Sequence, residues 1–137
     1  MRADELFAAF KRPAGALAAA LTIQQRLQGR VWPGGATVRV RIGIHTGRPT
    51  LTDSGYVGLV VHTAARVCAA AHGGQVLLSD ATVRAVKDSL PAGVAFRALG
   101  THRLHGLPEP EALFQLRAPG LPAQFPPPRT VRSRPRR

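Results

Sequence analysis

A chain of 137 residues that is 45% hydrophobic has room for one domain with a modest core, and this composition excludes wholesale disorder. The formal charge of +12 divides evenly: residues 117–137 hold six arginines and no acid, so this tail supplies +6 and the body the other +6. The single cysteine, Cys68, excludes an internal disulfide framework and agrees with a reducing cytoplasm, and no apolar run reaches the ~18 residues of a membrane span. The sequence therefore reads as a soluble cytoplasmic protein with no membrane partner. Charge alone argues weakly for nucleic acid, because no recognition helix, aromatic stacking strand or zinc spacing accompanies it.

In chain order, Asp4 to Phe10 is a short apolar segment with strand character, opened by two acids near the terminus. Pro13 suits a first helical turn, and the alanine-rich run after it predicts a helix ending at Gly29, with Leu17, Leu21 and Leu27 as its larger inward residues. Trp32-Pro33-Gly34-Gly35 breaks the chain. From Val38 to His45 apolar residues alternate: Val38, Val40, Ile42 and Ile44 share one face, and Arg39, Arg41, Gly43 and His45 the other. That is the period of a half-buried strand. Arg39 and Arg41 read as a solvated sheet face and His45 as a structural histidine.

Thr46-Gly47 turns into a polar loop, and from about Leu59 the spacing becomes helical. Val60, Ala64, Val67, Cys68 and Ala71 form an apolar stripe, while His62 and Arg66, four apart, share another face. Gly73-Gly74 ends this helix, Gln75 to Leu78 reads as a buried strand, and Ser79 or Asp80 caps a short helix from Ala81 to about Lys87. Val94–Leu104 and Ala112–Arg117 are the arms of a closing hairpin across Gly106-Leu107-Pro108. His72, His102 and His105 show no metal-ligand spacing. The division is one domain over 1–117 and a Pro/Arg-rich tail over 118–137, expected to be extended and mobile.

The segments RIGIHTGRP, YVGLVVHTAARV, GGQVLLSDAT and LGTHRLHGLPEPEALFQL, in this order and spacing, resemble the second half of a class III adenylate/guanylate cyclase catalytic domain. The likeness covers about residues 2–117. It implies an α+β architecture: a partial ferredoxin-like nucleotidyl cyclase fold with a mixed sheet, helices packed on it and a closing β-hairpin. It also implies a reaction, in which the ribose 3′-hydroxyl of ATP or GTP attacks the α-phosphorus with the help of Mg²⁺ or Mn²⁺. The products are a cyclic nucleotide and pyrophosphate, made at a site shared with a second cyclase domain.

Position by position, the resemblance puts Arg66 where the transition-state arginine stands and His62 where an asparagine orients the ribose. Gly55 falls at the base-reading position, with Tyr56 and Gly58 beside it in the nucleotide-binding segment. Asp4 matches the second of two metal-binding aspartates, with Ala3 in place of the usual glycine. The strand bearing the first aspartate and the segment bearing the base-reading lysine match nothing from Met1 onward. One aspartate cannot hold two divalent ions, so the expectation is a truncated domain, impaired as an isolated chain. Loss of that first strand is also expected to leave unpaired sheet edges or force its neighbours to pair. The alternative reading is a non-catalytic nucleotide-sensing or dimerisation module of a signalling or transcriptional regulator.

Overall fold

The computed structural model describes Ala8 and residues 10–130, so the expected strand at Asp4–Phe10, and Asp4 with it, lies outside the described residues except at Ala8 and Phe10. Helix α1 (Pro13–Gln28) begins on Pro13, whose ring presets the helical φ, and buries Leu17, Ala20 and Gln24. A single 3₁₀ turn at Pro33–Gly35 follows. Strand β1 is Ile42–Ile44, much shorter than the expected Val38–His45. The backbone before Ile42 is held by other means: Gly74 N–H donates to Val40 O (2.7 Å), and the buried Gln24 Nε2 donates to the same carbonyl (2.9 Å).

The polar loop of the sequence reading contains a small hairpin, β2 (Thr50–Thr52) and β3 (Gly55–Val57), turning at Asp53-Ser54. Its β2 strand is fully exposed, and three-residue strands leave too short a pattern to detect. Helix α2 (Leu59–Ala69) starts directly after it, and strand β4 (Val76–Ser79) and helix α3 (Asp80–Val86) come next. Ser79 Oγ accepts from Thr82 N–H, so Ser79 is the cap. Strands β5 (Ala95–His102) and β6 (Glu111–Arg117) form the expected closing hairpin, with an irregularity between Ala98 and Thr101.

The main sheet runs β1-β4-β6-β5, with β1 parallel to β4 and the other pairs antiparallel. Among the described residues β1 is an edge strand. Strand β4 is buried at all four positions and feeds a core on each face. Val76 and Leu78 join Leu17, Ala20, Ile44, Val86 and Leu116 beneath α1 and α3. Leu77 joins Val67, Ala70, Ala71, Leu104, Leu107 and Leu113 beneath α2. Helices therefore cover both sides of the sheet, and the face of β1 expected to be polar is covered at Gly43 by α2.

Strand and helix approach each other closely at that glycine. A Cβ on Gly43 would sit 2.3 Å from the backbone nitrogen of Cys68 and 2.4 Å from its Cα. The neighbouring Cys68 Sγ meets Arg41 O at 3.6 Å, a weak contact that follows the same seam.

Residues 118–130 carry no helix or strand, and hydrogen bonds tie them to the body. Gln25 Nε2 donates to Pro119 O (3.1 Å) and Gln115 Nε2 to Ala123 O (3.0 Å). His72 Nε2 meets Pro127 O (2.8 Å), and Arg129 N–H donates to Ala70 O (2.8 Å). Proline removes backbone donors but leaves carbonyls, and here body side chains find those carbonyls.

Beyond β1, His45 Nδ1 lies 2.7 Å from Ser79 Oγ, and Thr46 Oγ1 lies 2.9 Å from Thr82 Oγ1. Thr82 Oγ1 also donates to Ile44 O (3.2 Å). This cluster ties the end of β1 to the start of α3.

Two outcomes are expected. Gly43→Ala forces a methyl group into the Cys68 backbone, and overpacking of that kind costs about 2–3 kcal/mol; a lowered urea midpoint at unchanged m-value checks it. Burial holds the His45 imidazole below its ordinary value of 6.5. The fold thus favours the neutral ring, and its contribution to stability is complete above pH 6.5 and is lost as pH falls through 6.5 toward the folded value. Glu111, raised by burial and then by Asp80, has the opposite sign. The check is therefore comparative: thermal melts between pH 7.5 and 5.5 should show a smaller acid loss in His45→Asn than in the parent chain.

Candidate functional site

Helix α2 carries the two residues singled out at i and i+4. Its N-cap is Gly58, with φ of 115°, a conformation that a side chain resists. The first helical bond runs from His62 N–H to Gly58 O (3.1 Å). The buried stripe is Thr63 and Val67, continued by Ala70 and Ala71 just past the helix. His62 and Arg66 sit at the margin of this stripe, half-buried, facing the connection between β5 and β6.

That connection turns at Leu104–Leu107, where Leu107 N–H donates to Leu104 O (3.2 Å). Gly106, with φ of 77°, lets the turn pass close to α2: a Cβ there would lie 2.9 Å from His62 Nε2. The His62 ring is therefore wedged against the turn. One helical turn further, Arg66 lines a half-open cavity of about 300 Å³ with Ala69, Leu104, His105, Arg129 and Thr130. Arg66 Nε is buried and has no hydrogen-bond partner among the described residues. A buried donor on a charged group without a partner is costly, and such groups mark places where a ligand or ion completes the pairing.

The structure brings Arg66 and His62 onto one face but gives them different surroundings. Gly55 and Tyr56 lie on β3 and Gly58 at the start of α2, and neither glycine lines the cavity. Arg66 lies eight positions after Gly58, so the two stand about 12 Å apart along the axis. Asp4 lies outside the described residues, among which no group of three His, Cys, Asp or Glu side chains converges as a metal site would. His45 is spent on Ser79, away from Arg66.

Three lining residues escaped the sequence reading. His105 had no metal spacing, and its signal was the Leu-His-Gly turn that apposes α2. Arg129 and Thr130 lie in the segment taken for a tail, where composition gives no hint of a return path. No helix among the described residues is long and apolar enough to cross a membrane.

No family model matches the chain. An uncharacterised protein of Mycobacterium tuberculosis is 44% identical over 132 residues, which cover 96% of this chain and 44% of that protein. The chain thus spans less than half the length of this relative. Receptor-type adenylate cyclase B of Leishmania donovani is 40% identical over 97 residues, covering 64% of this chain and 7% of that protein. Among solved structures, an adenylate/guanylate cyclase/hydrolase from Silicibacter pomeroyi superposes with a TM-score of 0.71 at 29% identity, covering 80% of this chain and 65% of that one. By its mixed sheet, its helix order and these likenesses, the chain has the fold of the class III adenylate/guanylate cyclase catalytic domains and is similar in sequence to receptor-type adenylate cyclases.

Proposed function

We propose that this chain is a cyclase-type domain that grips the phosphate end of a purine nucleoside triphosphate, ATP or GTP, through the Arg66 side of α2. One observation carries the reading: Arg66 lines a cavity whose described lining holds no carboxylate, and its buried Nε–H has no partner among the described residues. A guanidinium offers planar, fixed donors that match phosphate oxygens, and a desolvated charged donor gains more from an anion than one in water. In this reading Arg66 binds the α-phosphate region and stabilises negative charge gathering there as the ribose oxygen attacks. His62, packed beside Gly106, holds the turn of His105 against the helix and presents its ring toward the ribose side.

The family implies Mg²⁺ or Mn²⁺. The described residues do not offer a set of donors that fits such ions, so no step is assigned to a metal on them. The reading accordingly needs a second cyclase domain, from another copy or another chain, to complete the site. A cytoplasmic setting goes with it.

A second reading is favoured by the wedged His62, which leaves little freedom to orient a ribose. In that reading the domain binds nucleotide or pairs with a partner without turning it over, as a sensing or dimerisation module.

The deciding measurement is titration calorimetry with ATP and GTP, beside an assay for cyclic product in Mn²⁺, on the parent chain and Arg66→Ala. Removing one charge-assisted phosphate contact costs about 1.5–3 kcal/mol, so affinity should fall at least tenfold in the variant. Product that disappears with Arg66 establishes catalysis. Triphosphate binding that depends on Arg66 without product leaves the sensing module, and absence of triphosphate binding by a folded parent chain sinks both.

A further inference from the structure

The cavity beside Arg66 is walled on one side by the returning C-terminal segment. Anchors recur along it: Pro119 O, Ala123 O and Pro127 O each accept from a body side chain. The Phe125 ring edge reaches within 3.9 Å of the position a Cβ on Gly74 would take. The last anchor is of another kind, because Arg129 N–H donates to the carbonyl of Ala70, the C-cap of α2. A helix end leaves its last carbonyls open, and the segment supplies a donor for one of them. Residue 129 is thus fixed by its backbone one turn beyond Arg66, and it lines the cavity.

The residues that line the cavity are Arg66, His105, Arg129 and Thr130, with the apolar Ala69 and Leu104. Two arginines lining one small space bring like charges near each other, which is unfavourable. The negative end of the α2 dipole offsets part of that cost, but the Ala70 carbonyl is already engaged by the Arg129 backbone. The ion pair of Asp80 with Arg84 lies on α3, and no carboxylate residue is among those lining the cavity. The lining cations therefore share no carboxylate, and an anion is what balances them.

We propose that Arg129 is a polyphosphate-binding residue: the C-terminal segment folds back across α2 and adds, in cis, a second arginine to the Arg66 site. The ligand class is a linear polyphosphate, either free or as the phosphate chain of a nucleotide, and the Thr130 hydroxyl stands beside it as a further donor. The proposal rests on the reading of Arg66 as a phosphate contact.

The test is calorimetry on the full chain with two probes, ATP and inorganic tripolyphosphate, for the parent, Arg66→Ala, Arg129→Gln and Arg129→Lys. Arg129→Gln should weaken both probes about tenfold, and Arg129→Lys should fall between it and the parent because it keeps charge but loses the planar fork. The melting temperature should stay within about a degree, since the anchor at Ala70 is a backbone bond. Tripolyphosphate binding that needs both arginines, with ATP no tighter, supports the anion site while the nucleotide reading falls. ATP binding lost in Arg66→Ala but intact in Arg129→Gln overturns the proposal and leaves the nucleotide reading standing. Weakened binding that comes with a lower melting temperature makes Arg129 structural and also overturns it. A folded parent chain that binds neither probe overturns both.

Discussion

Helix α2 occupies its place because Gly43 has no side chain. The Cys68 backbone lies where the Gly43 Cβ would be, so strand and helix touch main chain to main chain. Everything the site uses follows from that contact. It sets the depth at which α2 lies on the sheet, and so the height of Arg66 and His62 above it. It lets Val67, Ala70 and Ala71 close the core over Leu77 and Leu113. It also brings α2 near enough to the turn at Gly106 for a histidine ring to fill the remaining gap.

A chain of buried amides carries the same order across the sheet. Gln24 Nε2 reaches Val40 O and, more distantly, Gln75 O. Gln75 Oε1 accepts from His72 N–H while its Nε2 donates to Gln115 Oε1, and Gln115 Nε2 donates in turn to Ala123 O. Each of these glutamines is almost fully buried. A buried amide without partners would cost a few kcal/mol, so the relay holds only while all of its members are in place. Its last bond falls on the C-terminal segment. That segment is therefore joined to the interior polar network that also links α1 and β4, and the wall of the Arg66 cavity inherits the rigidity of the core.

The legible part of the sequence was what periodicity and punctuation encode. Pro13 and Gly29 bracket α1, the Gln75–Leu78 run is the buried β4, Ser79 caps α3, and the hairpin arms differ from β5 and β6 by a residue or two. The motif resemblance pointed to the cyclase-domain fold and to the pair on α2. What stayed hidden depends on contacts distant in sequence. Val38–Arg41 alternate like a strand, yet their neighbours are a glycine turn and a glutamine side chain, so the ladder begins only at Ile42. The β2–β3 hairpin is too short and too exposed for any pattern to show. The path of residues 118–130 follows from bonds to Gln25, His72, Ala70 and Gln115, and a Pro-rich composition reads the same whether or not such partners exist.

Support is uneven along α2, and this bears on what such a domain recognises. At the Arg66 end the helix is backed by two core alanines, capped by Arg129 N–H and flanked by the His105 turn. At the other end it springs from Gly58 and a small exposed hairpin, where Leu51, Val57 and Leu59 turn apolar surface to solvent. A preorganised site discriminates through groups that cannot move away, whereas a lightly held one adapts to what meets it. If Arg66 contacts phosphate as proposed, recognition rests on charge at the firmly held end, and the choice between purines is left to whatever packs against the hairpin, where Gly55 has no side chain to contribute.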